Sequence, residues 1–553
     1  MICLCAVVAA AAVPAAAQVQ KQVEVTRDYV PSVAPASKLA IAPDMTDTVR
    51  MRPEIDYTIT PMSWQSNLST EKFRPATLTY WDLNRPRPFY LKLGAGYPLR
   101  SEGDFYASTQ NPDIGFLSVY ANHRGGYARP ENYLGVKADS RNMNNRVGIT
   151  LGAYTGKRKV EGDFSYDMDD YRRHGGYEGQ TGLGDKIATG LADAVIRFGD
   201  DFADLSRVNF ELAVRGSFFH DGSVVRDEAM EVSNDLFRQY GYGASGALAR
   251  RFGSHMLRFE AEFDSRHGLK ACDYSDNTVR AGLRYGRDGG AVEYTLGADY
   301  IYDRLAGKGH HYVTPYVRLR FDIGRNGHFV PFIEADGNLR NNSFMSLTRR
   351  NPYVIPGTWA DNTLEYSFRV GVAGNAAKDR IAYRLTFNAA FAGDEVFWYV
   401  RDYMWFGVET ARCNTMSFDA LFEYRPVSSF LLSLGATGRL FSDNTSLAVA
   451  RPSFEARAGI EYSYRKWSFG ASAHMATKTR WTSLISGDAG EEPRSEIFVD
   501  NLSVDVNASV EWNCSSDVSI YLEGRNLANA KSYPIAYCPN YGIGFLAGVK
   551  VQF

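Results

Sequence analysis

The residues that come nearest to a reactive constellation are His220 and Asp221, with Ser217 and Ser223 close by in sequence. A hydrolase needs a hydroxyl nucleophile, an imidazole to take its proton and a carboxylate to orient that imidazole, all facing together. Such triplets also arise by chance, and no GxSxG, HExxH or phosphate-loop motif accompanies this one. Gly241, Gly243 and Gly246 in GYGASG have the spacing of a dinucleotide fingerprint, which requires a strand before and a helix after. They sit inside an alternating strand pattern, where small residues facing a neighbour are the simpler reading. His310 and His311 are adjacent, so on a strand they point to opposite faces and do not readily share a metal ion. Asp167, Asp169 and Asp170 in DFSYDMDDYRR offer hard oxygen ligands at a strand end. They lack the Gly that a calcium loop needs, and solvated loop charge accounts for them. Phe397, Trp398, Tyr399, Tyr403 and Trp405 crowd residues 394 to 415. On an exposed loop they would stack against a sugar or a partner; the alternative is an aromatic belt at headgroup level. No catalytic residue, cofactor or metal site is assigned.

The elements that must carry these residues are strands. At 553 residues the chain has the length of three or four soluble domains, yet nothing punctuates it that way. Hydrophobic residues make up 45%, aromatic residues 13% (34 Tyr and 32 Phe) and there are 50 Gly, a composition that favours strands and tight turns. After Ala17 no stretch approaches the roughly 20 apolar residues of a spanning helix. The mean hydropathy is slightly negative, as expected of a barrel in which lipid meets only every second residue. A net charge of −2 argues against a nucleic-acid partner. Cys272, Cys413, Cys514 and Cys538 are far apart and without CxxC pairing, which disfavours a metal site and leaves loop disulfides or free thiols open.

The run ICLCAVVAAAAVPAAAQ reads as a signal peptide over residues 1–17, with cleavage after Ala17; no Lys or Arg precedes it, which leaves a start upstream of Met1 open. Residues 18–88 are Pro-rich and without sustained period, the expectation being a short irregular periplasmic segment. From Phe89 the pattern becomes alternating segments of about ten residues. In RVGITLGAY, Val147, Ile149 and Leu151 share a face. In SFEARAGIEYSY, Phe454, Ala456, Ala458 and Ile460 oppose Glu455, Arg457 and Glu461. Ten short turns, from Asn111–Asp113 to Cys514–Asp517, interleave with mostly longer connections at 124–143, 171–185, 221–235, 342–361, 394–415 and 478–499. Short turns on one rim and long loops on the other predict an all-β transmembrane antiparallel barrel of about 22 strands over residues 89–553. Its expected closing strand is YGIGFLAGVKVQF, in which Phe545, Val549, Val551 and the terminal Phe553 are the candidate barrel-insertion signal.

The segments YLKLGAGYP and DFYAST, the loop tripeptide NPY at Asn351–Tyr353, RPSFEARAGIEYSY, VDVNASVEW followed by VSIYLEGRNLANAKSY, and the aromatic end resemble, in that order, the barrel of the TonB-dependent receptor superfamily in the form common in the Bacteroidota. Members of that family carry a folded plug ahead of the barrel, whereas residues 18–88 are shorter and Pro-rich, so a barrel without a plug is expected. The resemblance implies an exported, non-enzymatic outer-membrane protein of Gram-negative type, with a receptor-like or scaffold role in an envelope complex. The alternative is a nutrient transporter or porin, open or plugged in trans; an outer-membrane hydrolase is the outsider. Expected partners are outer-membrane lipid, the barrel-assembly machinery during insertion and envelope proteins.

Overall fold

The computed structural model describes residues 88–553 apart from short loop stretches, the longest being 227–231 and 486–493. The expected signal peptide and nearly all of the 18–88 segment therefore lie outside the described residues. The strands are β1 (Phe89–Tyr97), β2 (Arg100–Asn111), β3 (Gly115–Gly126), β4 (Asn142–Thr155), β5 (Arg158–Arg172), β6 (Lys186–Asp200), β7 (Asn209–Asp221), β8 (Phe237–Phe252), β9 (His255–Leu269), β10 (Ser275–Arg287) and β11 (Val292–Leu305). They continue as β12 (Lys308–Phe321), β13 (Val330–Arg340), β14 (Thr363–Ala376), β15 (Ile381–Val400), β16 (Phe406–Val427), β17 (Phe430–Asp443), β18 (Phe454–Tyr464), β19 (Trp467–Ala476), β20 (Ser503–Asn513), β21 (Val518–Arg525) and β22 (Gly544–Gln552). Each pairs antiparallel with the next, and β22 returns to β1 with Val551 opposite Leu91 and Phe545 opposite Tyr97. The result is a closed barrel of 22 strands. Closure matters because hydrocarbon offers no water to an unpaired edge.

The side chains sort by face as the alternation predicts. Val147, Ile149 and Leu151 are exposed on the outer wall, as are Phe545 and Val549, whereas Glu455 is only 6% exposed. Near the short-turn rim Trp467 and Trp512 stack across neighbouring strands with ring centroids 6.0 Å apart, and Tyr464 is exposed beside them. They form part of an aromatic girdle at an interface. At the seam Phe553 stacks on Phe89 at 4.6 Å, and their backbones exchange two hydrogen bonds of 3.1 Å. Among the described residues no helix is long and apolar enough to cross a membrane, which says nothing of strands.

The connections on the rim where β1 begins run to eight residues at most. Those on the other rim reach 22 residues at 341–362 and 26 at 477–502. One expected loop is absent. Residues 394 to 400 and 406 to 415 extend β15 to 20 residues and β16 to 22, leaving only 401–405 as the connection. The expected 394–415 connection begins where the alternation breaks: a β-bulge between Ala392 and Glu395, with Asp394 at φ +54°, inserts one residue. Past a bulge the faces exchange, and the strand continues.

Candidate functional site

The long-loop rim is roofed by its own connections, and the 341–362 loop is the centre of that roof. Both ends of the loop are pinned to the wall. Asn342 Nδ2 donates to the Asp361 carbonyl at 2.6 Å and to Thr363 Oγ1 at 2.9 Å, while Asn362 Nδ2 donates to Asp276 at 3.1 Å and Asp303 at 3.0 Å. Between them Ser343 caps the short helix α1 (Phe344–Arg350), accepting from the Ser346 amide at 3.3 Å. Arg349 and Arg350 fill the last turn, where cations suit the helix dipole. Asn351 then folds the chain back by accepting from the Tyr353 amide at 3.0 Å. Gly357 has φ +83°, and a Cβ there would meet the Phe237 ring at 2.8 Å, so the turn takes no larger residue without strain.

The loop leaves β13 and β14 yet touches strands far around the ring. The Phe344 amide donates to Tyr274 Oη at 3.2 Å and the Met345 amide to Gln239 Oε1 of β8 at 2.9 Å, while Arg349 pairs with Asp167 of β5 at 3.3 Å. Tyr353 Oη lies 3.5 Å from the Arg172 carbonyl and 3.4 Å from His174 Nδ1. On the other side the Ile355 amide and Tyr353 carbonyl bond Phe406 at 3.0 and 2.9 Å. A segment with contacts on β5, β8 and β16 crosses the mouth of the barrel. Two apolar clusters hold it there. One joins Phe344 to Leu191, Phe219, Cys272, Tyr274 and Leu305; the other joins Tyr353 to Val400, Met404, Phe406, Trp481, Phe498 and Tyr537. The second includes a hairpin, Thr479–Ile485 with Arg494–Asp500, whose first strand pairs parallel with the end of β15. Tyr133 from the 127–141 connection closes the ring of contacts, its ring centroid 5.4 Å from Phe498 and 5.5 Å from Tyr537.

Burial sets the chemistry of this roof. It pushes the thiols of Cys272 and Cys538 up to about 12, so both are inert, raises the Tyr353 phenol well above its ordinary value and lowers His174. All four cysteines among the described residues are free. Arg173, fully buried, bonds Asp185 at 2.5 Å and lies over the Trp405 ring at 4.0 Å. Below the roof the inner wall is densely ion-paired. At the seam Lys92 meets Glu102 at 2.6 Å and Glu523 at 3.2 Å, and Tyr521 donates to Glu102 at 2.7 Å. Farther round, Asp299 holds both Arg280 and Arg284 at 2.6 Å. A polar cavity of about 240 Å³ lies against this wall, lined by Arg215, Asp264, Arg266, Arg280, Asn341 and Asn362. A larger hollow of about 650 Å³ is lined mostly by outward alanines and leucines of β15 to β19, such as Leu385, Ala436 and Ala458. It belongs to the lipid-facing wall.

Of the aromatic group, Phe397 and Trp405 are 3% and 4% exposed, Trp398 and Tyr399 are half-buried, and Tyr403 lies outside the described residues. They pack into the strand extension and roof; they do not stand on a free loop. The hydrolytic triplet comes apart: Asp221 turns inward, bonding the Ser223 amide at 2.8 Å, whereas His220 sits on the other face at 3.2 Å from Tyr166 Oη. Adjacent residues on a strand cannot face together. Gly241, Gly243 and Gly246 lie within β8, and His310 and His311 within β12. Asp167 and Asp170 are ion-paired to Arg146 and Lys186. Among the described residues no three His, Cys, Asp or Glu side chains gather as a metal site. The sequence reading missed the inward course of the 341–362 loop and the inward turn of Glu395. The break in alternation at Gly393–Asp394 is the one signal that could have found the second.

The architecture defines a class, the large closed β-barrel whose long-loop mouth is covered by folded connections. No family model and no curated protein sequence matches the chain. Solved structures do. The siderophore receptor PirA from Acinetobacter baumannii superposes with a TM-score of 0.66 at 11% identity, over 86% of this chain and 81% of that one. The FrpB iron transporter from Neisseria meningitidis gives 0.65 at 11% identity, over 85% and 82%. FpvA from P. aeruginosa, bound to a heterologous ferric pyoverdine, gives 0.63 at 10%, over 84% and 71%. The fold is therefore that of the TonB-dependent receptors.

Proposed function

We propose that the protein is an outer-membrane transporter that admits a solute when its loop roof opens. The observation that carries this reading is the 341–362 loop pinned across the mouth, a closed door built of side-chain contacts on a barrel wide enough to need one. The structural neighbours are named as receptors or transporters for siderophores, iron and copper, which supports transport better than the scaffold role expected from the sequence. An enzyme gains nothing from the geometry, since His220 and Asp221 face apart. Phe545, Val549, Val551 and Phe553, on the closing strand, serve in this reading as the signal read by the assembly machinery. Among the described residues of its group, Trp398, half-buried beneath Arg350, and the half-buried Tyr399 are the aromatics left to meet a solute.

Planar-bilayer conductance of the purified full chain tests the proposal. The wild type is expected to be nearly silent, and replacing residues 343–359 by a short Gly/Ser linker should give steady current. The same replacement is made with residues 18–87 also removed. A barrel that stays silent in every form has no passage, and the transport reading falls.

A further inference from the structure

One place on the inner face carries more positive charge than its neighbours balance. Arg340 at the end of β13, Arg350 at the end of α1 and Arg451 in the 444–453 connection converge on a single carboxylate, Glu395. Arg340 Nη2 bonds one oxygen of Glu395, and Arg451 Nη2 bonds the other at 2.9 Å. Arg350 donates to Asn342 Oδ1 at 3.0 Å and lies over the Trp398 ring at 5.6 Å, and among the described residues no carboxylate is bonded to it. The nearest further acid along the connection, Glu455, is already shared by Arg439 at 3.2 Å and Arg457 at 3.4 Å. Three guanidinium groups thus share one buried anion, Glu395, with only the exposed Asp443 opposite Cys413 as a further carboxylate close by among the described residues.

Two further observations point outward from the cluster. The Nε of Arg340 is buried with no hydrogen-bond partner, an unmet donor that ordinarily costs stability. The carboxylate side chain is 6% exposed while that of Arg451 is 44% exposed, so Glu395 grips the arginines from behind and leaves guanidinium edges facing open space. Burial first, then repulsion from Arg340 and Arg451 against the pull of Glu395, lowers Arg350 to about 10. A guanidinium is a planar fork of N–H donors that matches the oxygens of a carboxylate or a phosphate.

We propose that Arg340, Arg350 and Arg451 form a binding site for a small oxyanion, a carboxylate or a phosphate. The anion takes the unmet Arg340 donor and balances the positive charge that Glu395 and the exposed Asp443 leave over. Because Arg340 belongs to the wall, Arg350 to the roof loop and Arg451 to a second connection, the bound anion ties roof to wall. The site turns inward, so its ligand is a solute and not a lipid headgroup on the outer wall. This inference stands on the charge count and is independent of the transport reading.

Isothermal titration of the purified full chain in detergent, with inorganic phosphate and with citrate as separate probes, tests it without any flux measurement. The wild type should bind at least one probe at millimolar concentration or better. Arg451→Gln should weaken binding at least tenfold, whereas Arg250→Gln, near the other rim, should leave it unchanged. Arg451→Lys, which keeps the charge and loses the fork, should fall between. Retention of the heat-modifiable gel shift shows that each variant is folded. No binding of either probe by the wild type overturns the site. So does Arg451→Gln binding as tightly as wild type, or equal losses in Arg451→Gln and Arg250→Gln.

Discussion

Replacing Phe344 by Ala separates a door from a fixed part of the wall. Phe344 is fully buried, its ring 5.2 Å from Phe219 and 6.3 Å from Phe237, in a cluster with Cys272, Tyr274 and Leu305. Removing a packed phenyl ring costs about 3–5 kcal/mol. Phe344 belongs to the loop and contributes nothing to the ladder of backbone bonds that closes the barrel, so the loss falls on the closed position of the roof. About 3 kcal/mol at 1.4 kcal/mol per factor of ten moves the open population up by more than a hundredfold. Single-channel recording should turn from rare events to frequent openings. A second readout comes from Cys272, which is 1% exposed and whose thiol burial pushes up to about 12. It should resist maleimide in the wild type and react in Phe344→Ala. The heat-modifiable gel shift should persist in both. A variant that is folded, silent and still protected at Cys272 would refute the idea that these contacts hold a door.

Two other outcomes follow from the same packing. Burial holds His174 below its ordinary value in the closed roof, where its Nδ1 lies 3.0 Å from the Arg172 carbonyl and 3.4 Å from Tyr353 Oη. An opened roof frees the ring to titrate normally, so below about pH 6.5 the open form binds more protons and acid favours opening. Open probability should rise between about pH 7.5 and 5.5, and His174→Phe should flatten that rise. Asp500, raised by burial, works in the opposite sense but from a lower range. At the seam, Lys92→Met leaves the Glu102 side chain, 1% exposed, with Arg124 at 4.0 Å and Arg525 at 3.5 Å. Uncovering a buried carboxylate this way should cost about 3 kcal/mol, read as a lower urea midpoint of the gel shift, and Glu102→Gln added to it should recover part.

What the sequence makes legible is whatever repeats at period two. Ile149, Glu455 and Val549 could be assigned to outer or inner face from parity alone, because in lipid each outward position must be apolar and each backbone group must be paired in a ring. The ten short turns were visible for the same reason, being the places where parity restarts. The roof is built from residues with no period at all. Tyr353 meets His174 and Arg349 meets Asp167 across more than 170 positions of sequence, contacts that no local pattern encodes. NPY at Asn351–Tyr353 showed a loop without showing which way it bends.

Glu395 shows how the two kinds of information meet. Counted by parity from Ala392, it belongs on the lipid face, where a carboxylate is costly. The extra residue at the bulge brings it inward, and Asp394 accepts φ +54° to allow it. Asp is among the residues that tolerate that region best. Without the bulge, Arg340 and Arg451 would lose their shared acceptor, and the strand would carry Phe397 outward in place of packing it against Cys413 and Leu447. A single irregularity in β15 therefore sets both the roof's hydrophobic support and the anion that gathers its arginines. Bulges are over-represented at barrel rims, where they re-aim a side chain as this one re-aims Glu395.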